Sequence, residues 1–322
     1  MAIRPIFVFS VSRSGSTLVQ RVIAAHDGVA TVAEPWLLVP YAYTLRARGV
    51  RAEYFHPLLV TAIGDFTRTL PRGVEDYRLE TRAYALRLYE KAAAPGARYF
   101  LDKSPVYYLV ADEIMRLFPE GKFVFLWRNP LSIMASIIET FEAGRWSPTA
   151  CRSDVIVGLP RLVSTYMRNR SIAHAVRFEE LVDGGDAWAA LMEYLGIEFD
   201  AEALRRFSEV ELEGSMGDPT GVEQYGTLSR EPEHKWRATL ANPLRKAWCR
   251  RCLHLLGDER LAAMGYDAGR LVQELDSEPT TSASLASDLC RLVVDLAKEP
   301  VRVRMRAGEL GGPNMIRELL AA

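Results

Sequence analysis

Small hydroxylated residues, one cation and one glycine stand together in the run Ser12–Thr17, which reads SRSGST. The apolar run before it, Ile6–Phe9, predicts a buried strand, and apolar residues at helical spacing after it predict a helix: Leu18, Val19, Val22 and Ile23. A strand, a tight turn and a helix start present unpaired backbone N–H groups and the positive end of the helix dipole to a ligand. Arg13 adds a full charge. The stretch therefore predicts an anion-binding loop.

The loop lacks the lysine of the G-x-x-x-x-G-K-[ST] phosphate-binding motif. A serine-rich cap on an ordinary strand–helix unit explains it as well when the stretch is taken alone. A second group of residues favours the functional interpretation.

Charged residues also follow the other predicted strands, which are Val29–Ala33, Arg98–Leu101, Lys122–Trp127 and Ala173–Phe178. The residues are Glu34, Lys103, Arg128 and Glu179. Because the carboxyl ends of parallel strands meet at one edge of a sheet, we expect them to converge there with Arg13. Three cations and two carboxylates suit a ligand with several anionic groups and a proton to move. A solvated loop position is the alternative for Glu34.

Helices predicted between these strands place the chain in the α/β class. They cover about Ser16–His26, Tyr107–Phe118 and Leu131–Phe141. We predict a P-loop-like three-layer fold, with a mostly parallel central sheet flanked by helices. Ser136, inside the third helix, is expected to face Arg128 and to share one anion with it.

A mostly helical, aromatic-rich insertion is predicted between the second and third strands, at about residues 37–98. Its position at the ligand edge suggests a substrate cap, whereas core packing is the alternative. His56 within it is a weak catalytic candidate.

A C-terminal appendage, residues 271–322, follows a main domain at 1–270. We expect a Ser/Thr-rich linker at Ser277–Ser287 and an amphipathic helix at Leu285–Ala297. An edge strand with a basic face is expected at Val301–Arg306 and a short final helix at Met315–Leu320. Homodimerisation, substrate capping and carrier-protein docking are the roles considered beside simple packing.

Composition argues against several classes of partner. The 322 residues carry a formal net charge of −1 with both signs interspersed, unlike a nucleic-acid or anionic-membrane binder. We see neither a signal peptide nor a membrane span. Four cysteines in a chain of this length suggest a cytoplasmic protein without a disulfide framework. Cys249 and Cys252 form a C-x-x-C inside a helical pattern without a second metal-binding pair, so we predict no metal site.

Two segments, SVSRSGSTL and KFVFLWRNPLSIMASIIETF, resemble in order and spacing the sulfotransferases that use 3′-phosphoadenosine 5′-phosphosulfate (PAPS). The first is similar to the family's 5′-phosphosulfate loop and the second to its 3′-phosphate-binding strand, turn and helix. DKSPVYYLVADEIMRLFP, RFEELV and CLHLLGDERLAAMGY are similar to further family segments, so the resemblance covers roughly residues 4–266. It is stronger to the bacterial and carbohydrate- or tyrosyl-type branch than to the cytosolic aryl type.

The resemblance implies a role for each matching residue. Arg13, Ser14, Gly15, Ser16 and Thr17 would hold the 5′-phosphosulfate, while Arg128 and Ser136 would bind the 3′-phosphate. Glu34 would be the general base for an acceptor hydroxyl. Lys103, with Arg13, would stabilise charge on the bridging oxygen.

The family also closes a basic loop over its donor, yet its usual Arg-Lys-Gly run is missing here. We expect a long mobile loop at Ser215–Trp236, and Arg230, Lys235 and Arg237 are the candidate basic residues.

The predicted function is transfer of a sulfuryl group from PAPS to an acceptor hydroxyl by in-line displacement, without a metal. A small molecule, a carbohydrate or another natural product would each serve as acceptor. Two alternatives stay open: a P-loop-type nucleotide-dependent phosphotransferase, and a non-catalytic nucleotide-binding scaffold.

Overall fold

The computed structural model describes residues 3–50, 52–216 and 227–306. Its centre is one five-stranded sheet, in the order β2-β3-β1-β4-β5, and every strand pair is parallel. The strands are β1 (Arg4–Phe9), β2 (Val29–Thr31), β3 (Tyr99–Lys103), β4 (Lys122–Trp127) and β5 (Ala173–Arg177). The predicted α/β fold with a parallel sheet is confirmed, and β4 has the predicted bounds.

Helices cover both faces of the sheet and connect its strands. In chain order they are α1 (Ser16–Ala24), α2 (Leu38–Thr44), α3 (His56–Arg68), α4 (Val74–Ala92), α5 (Ala111–Leu117), α6 (Pro130–Phe141), α7 (Leu159–Arg168), α8 (Phe178–Asp183), α9 (Gly185–Leu195), α10 (Ala203–Arg206), α11 (Glu231–His234), α12 (Trp236–Thr239), α13 (Pro243–Leu256), α14 (Asp258–Ala263), α15 (Ala268–Ser277) and α16 (Leu285–Arg306). Short 3-10 turns at Pro105–Leu109 and Phe207–Glu209 and a π-helical stretch at Arg152–Gly158 complete the described elements.

Alternation along the strands gives the sheet two different faces, because successive side chains point to opposite sides. One face is aromatic: Phe7, Phe9, Phe123 and Phe125 lie in one buried cluster. The other face is aliphatic: Ile6, Val8, Val124 and Leu126 lie in a second. Both faces are covered, which accounts for the uninterrupted apolar runs of β1 and β4.

Strand order also places the site. From β1 the chain moves to one side to build β2 and β3, then returns to the other side for β4 and β5. The connections after β1 and β4 therefore diverge and leave a crevice at the carboxyl edge, where open α/β sheets bind ligands. Helices α2, α3 and α4 occupy the predicted insertion between β2 and β3.

A buried ion pair and a hydrogen bond join α13 and the residue before it to α16. Arg245 of α13 pairs with Asp288 of α16 at 2.7 Å, and their side chains are 6% and 1% exposed. Asn242 also donates to Asp288, at 2.7 Å.

One C-terminal prediction was wrong: Val301–Arg306 is the last part of α16, a helix, and not an edge strand. Alternation over six residues is too short a signal against a helix that is already running from Leu285. The expected final helix at 315–320 lies outside the described residues.

Candidate active site

A cavity of about 870 Å³ lies at the carboxyl edge of the sheet. It is lined by the loop after β1, by Arg128 and α6, by the start of α8 and by residues 227–239. The predicted site residues among its lining are Arg13, Gly15, Ser16, Thr17, Glu34, Arg128, Ser136 and Lys235.

The loop Ser12–Thr17 has the backbone of an anion-binding turn. Arg13 and Gly15 are both left-handed, with φ of 65° and 88°, and α1 begins directly afterwards at Ser16. Backbone N–H groups in such a turn, followed by a helix N-terminus, form a concave set of donors for an anion. The Ser14 hydroxyl is buried and has no hydrogen-bond partner among the described residues.

Asp154 holds the beginning of this loop and was not predicted. Its Oδ1 accepts a hydrogen bond of 2.8 Å from the Ser12 backbone N–H, and burial raises the pKa of Asp154 above its usual value. The distance of 142 residues between the partners leaves no sequence signal for this contact.

Phe178 connects the loop to Arg128. A Cβ added to Gly15 would lie 2.3 Å from Phe178 Cδ2, so the ring packs directly on the glycine. The Arg128 guanidinium lies over the ring, with Cζ 4.6 Å from its centroid. Phe178 begins α8 immediately after β5, which ends one residue earlier than the predicted strand.

Arg128 is 6% exposed and crosses from β4 to the loop. It donates from Nη1 to the Arg13 carbonyl at 2.7 Å and from Nη2 to the Pro232 carbonyl at 2.8 Å. Its Nε is buried without a hydrogen-bond partner among the described residues. Burial lowers the pKa of Arg128 to about 10, so it keeps its charge at neutral pH.

Ser136 lies on the cavity wall, but its contact differs from the expected one. Its hydroxyl accepts a hydrogen bond of 3.0 Å from Arg13 Nε. Arg13 and Arg128 thus belong to one set of contacts, which reaches from Ser136 through Arg13 to the Arg128 guanidinium.

Glu34 and Lys103 form a pair beside Thr17, and Glu34 lines the cavity. Lys103 Nζ lies 2.9 Å from Glu34 Oε1 and 3.5 Å from Thr17 Oγ1. The Lys103 side chain is 1% exposed and that of Glu34 is 12% exposed, so solvent screens the pair little. The second oxygen of Glu34 accepts a bond of 3.3 Å from the indole N–H of Trp36, another contact that the sequence did not reveal.

A buried carboxylate lies beside this pair. Asp102 accepts hydrogen bonds from the hydroxyls of Tyr89 at 2.5 Å, Tyr107 at 2.9 Å and Ser104 at 3.4 Å. Burial raises the pKa of Asp102 to about 6 despite these donors. The network joins the end of β3 to α4 and to the 3-10 turn.

Glu179 does not join the cavity, contrary to expectation. It lies in the first turn of α8, where Oε1 accepts from the Asn129 backbone N–H at 2.9 Å and Oε2 from the Tyr266 hydroxyl at 2.7 Å. It therefore anchors the turn after β4 instead of facing a ligand. Of the charged residues predicted to meet at the sheet edge, Arg13, Glu34 and Arg128 line the cavity. Lys103 contacts Glu34.

The three basic residues predicted as candidates to close over the donor have different surroundings in the structure. Lys235 lines the cavity. Arg230 pairs with Asp183 and lies outside the lining, and Arg237 pairs with Glu278. Part of the expected loop is helical, since α11 begins at Glu231, and residues 217–226 lie outside the described part.

His56 and the C-x-x-C cysteines are buried in packing positions. His56 is 5% exposed and contacts the Arg46 carbonyl through Nε2 at 2.8 Å. Cys249 and Cys252 are free thiols inside the aromatic-face core, and burial raises the pKa of both.

The described residues around this cavity provide hydrogen-bond donors of the kind that bind anionic groups. The loop Arg13–Thr17 has backbone N–H groups, and Arg128 on the cavity wall has a partnerless Nε. The partnerless Ser14 hydroxyl lies within this loop but is not part of the cavity lining. Within residues 3–50, 52–216 and 227–306, no group of three or more His, Cys, Asp and Glu side chains could hold a metal ion.

Comparison with known proteins points to one family. Residues 5–201 match the model of a family described as the sulfotransferase family. Nodulation protein NoeE of Sinorhizobium fredii is 30% identical over 206 residues, covering 56% of this chain and 46% of that protein. Protein-tyrosine sulfotransferase 2 of Gallus gallus is 25% identical over 225 residues, covering 67% and 56%. The chain thus spans about half the length of these curated relatives.

Solved structures agree on the fold. A sulfotransferase domain from the curacin biosynthetic pathway superimposes with a TM-score of 0.54 at 20% identity, covering 82% of this chain and 98% of that domain. The sulfotransferase domain of the Synechococcus PCC 7002 olefin synthase gives 0.51 at 22% identity, covering 73% and 88%. Among the helices of the described residues, none has the length and apolar character needed to cross a membrane.

Proposed function

We propose, from the premise that this chain belongs to the sulfotransferase family, that it transfers a sulfuryl group from PAPS to the hydroxyl of an acceptor. The family predicted from the sequence is confirmed. One observation carries the proposal: a carboxylate–lysine pair, Glu34 and Lys103, lies at the same cavity as an anion-binding loop and the cation Arg128.

The two ends of the donor would bind at different parts of the cavity. The backbone of Arg13–Thr17, with the Ser14, Ser16 and Thr17 hydroxyls, would receive the 5′-phosphosulfate. Arg128 and Ser136 would receive the 3′-phosphate, because a guanidinium matches phosphate geometry and a hydroxyl adds a donor. Lys235, on the cavity wall, is the basic residue of its segment placed to approach the donor, while Arg230 is held by Asp183.

The donor supplies a sulfuryl group and a phosphate leaving group; the chain supplies positioning and charge. Glu34 takes the acceptor proton while the acceptor oxygen bonds to sulfur on the side opposite the leaving oxygen. The bond between sulfur and the bridging oxygen breaks, and that oxygen keeps the electron pair in 3′-phosphoadenosine 5′-phosphate (PAP). Lys103, at 2.9 Å from Glu34 and 3.5 Å from Thr17, is placed to stabilise the charge on that oxygen.

The acceptor is a small molecule, a carbohydrate or another natural product with a hydroxyl group, and helices α2–α4 cap it. We infer that the appendage predicted at residues 271–322 offers a homodimer or carrier-protein contact. Cys151, Cys249, Cys252 and Cys290 are free thiols, which supports a cytoplasmic location.

Calorimetric binding of PAP tests the donor assignment. We expect metal-free PAP binding that is tighter than ADP binding and is weakened about 10- to 100-fold in Arg128→Ala, as loss of a charged hydrogen-bond set predicts. Arg230→Ala, which removes an exposed arginine of the same region, is the control and should bind PAP normally. Preference for ATP with Mg²⁺ would replace this proposal by a phosphotransferase, and PAP binding without turnover of any acceptor would favour a scaffold.

A further inference from the structure

Trp36 has an unusual backbone at the edge of the site. Its φ of 52° is left-handed, a conformation that a bulky residue adopts only at a cost and that clusters at functional sites. The Trp36 N–H donates to Ser104 Oγ at 3.3 Å, and Ser104 in turn donates to the buried Asp102. The surrounding structure thus holds the residue in this conformation.

The Trp36 side chain is exposed although it touches a buried pair. Its indole N–H donates to Glu34 Oε2 at 3.3 Å, while Lys103 holds Oε1. The residue is 41% exposed, whereas Trp127, Trp146, Trp188 and Trp236 are each 2% exposed or less. A large apolar ring thus lies partly in water, directly beside the carboxylate.

Packing does not explain this arrangement, because a core role would bury the ring. An exposed indole with a polar edge turned inwards is instead a platform on which a flat ring can stack. A ring stacked there would have its hydroxyl next to Glu34, the only side-chain carboxylate that Trp36 contacts among the described hydrogen bonds.

We propose that Trp36 positions the acceptor in two ways, with its indole N–H orienting Glu34 and its exposed face stacking on a six-membered ring that carries the reacting hydroxyl. The inference rests on the proposed sulfuryl transfer. The shared chemistry of the acceptor is a six-membered ring that bears a hydroxyl and presents an apolar face to the indole, provided by the C–H face of a pyranose sugar or by the aromatic face of a phenol. An acyclic alcohol offers no face to the indole.

Two variants separate the two roles. Trp36→Phe keeps a ring and removes the N–H, whereas Trp36→Leu removes both. Steady-state rates with PAPS are measured for 4-nitrophenol, methyl β-D-glucopyranoside and 1-hexanol. Met167→Ala is the control, because Met167 is a 49% exposed apolar residue on α7, outside both the insertion and the cavity lining.

We expect turnover of at least one ring acceptor, and the phenol and glucoside arms tell which ring the site accepts. Trp36→Phe should lower kcat about 10-fold and leave the acceptor KM within about 2-fold, since it loses one hydrogen bond to a charged group. Trp36→Leu should lower kcat similarly and also raise the acceptor KM about 10-fold. The KM for PAPS should stay unchanged in both, and Met167→Ala should resemble the unaltered protein.

Turnover of 1-hexanol alone, or of none of the three probes by a protein that binds PAP, would overturn the inference. An unchanged acceptor KM in Trp36→Leu, or an unchanged kcat in Trp36→Phe, would overturn it too. If Trp36→Leu loses PAP binding, that variant reports a structural role of the side chain. The kcat of Trp36→Phe then decides whether the inference holds. Failure of the unaltered protein to bind PAP would be a different result, since it would reject the proposed function itself.

Discussion

At the end of β3, two neighbouring residues serve opposite faces of the sheet. Asp102 enters a network of tyrosine hydroxyls, whereas Lys103 reaches Glu34. Adjacent strand residues must point apart. A single charged dipeptide thus supplies one structural carboxylate and one cation for the site.

Asp102 should make stability depend on pH. Burial raises its pKa from 3.8 to about 6, so the folded protein binds this proton more tightly than the unfolded chain. The free energy of unfolding should therefore fall as pH rises from about 4 to 6, by up to about 3 kcal/mol from this group. Urea unfolding at several pH values checks this, and Asp102→Asn should flatten the dependence over that window.

Asp65→Asn, on the exposed surface of α3, controls for the loss of one carboxylate. An Asp102→Asn protein with the same pH dependence as the unaltered one would show that Asp102 does not carry the effect.

Glu34→Gln tests the proposed base. The amide cannot accept the acceptor proton, so single-turnover sulfation should slow by about 10² to 10⁴, while calorimetric PAP affinity stays near normal. Glu139→Gln is the matched control, because Glu139 lines the same cavity and accepts a bond from Thr239. Weak PAP binding by a folded Glu34→Gln protein would contradict the assignment.

At the scale of elements, the junction of the loop and α1 depends on a missing side chain. Gly15→Ala would place a methyl group 2.3 Å from Phe178 at a φ of 88°, and both features are unfavourable. We expect a loss of about 1 to 3 kcal/mol in the free energy of unfolding, with weaker PAP binding. Thermal unfolding and calorimetry measure the two effects.

Gly64→Ala provides the opposite control. Gly64 lies within α3, and a Cβ there would meet nothing within 4 Å. That variant should gain about 0.5 to 1 kcal/mol from helix propensity. Equal destabilisation of both variants would argue against the role of the Gly15–Phe178 contact.

The sequence predicted the elements better than their contacts. The residues at strand ends were identifiable because apolar runs mark β1 and β4 and charge follows directly. Asp154, Trp36 and Phe178 were not, since each acts through a partner distant in the chain or through its backbone angle. The prediction that Glu179 joins the site was wrong, because a charged residue after a strand does not reveal the direction in which the following helix points its side chain.

At the scale of the whole molecule, a buried ion pair joins α16 to α13. Removing one partner leaves an uncompensated charge, so Asp288→Ala should lower the free energy of unfolding by about 3 to 5 kcal/mol. PAP affinity of the folded fraction should not change, because Asp288 lies outside the cavity lining. Denaturant titration and calorimetry test both statements.

Asp276→Ala breaks an exposed pair with Arg250, whose side chains are both 46% exposed. It should cost less than about 1 kcal/mol. A similar cost for the two aspartates would mean that α16 adds little to the stability of the main domain.

The hydrogen bond from Arg128 to the Arg13 carbonyl has a consequence for selectivity. It connects the two proposed anion-binding regions, Arg13–Thr17 and Arg128, which follow the paired strands β1 and β4. A nucleotide with only one of the two anionic groups, or with both at another separation, would then contact only part of these two regions. Discrimination between donors would then arise from length as much as from charge.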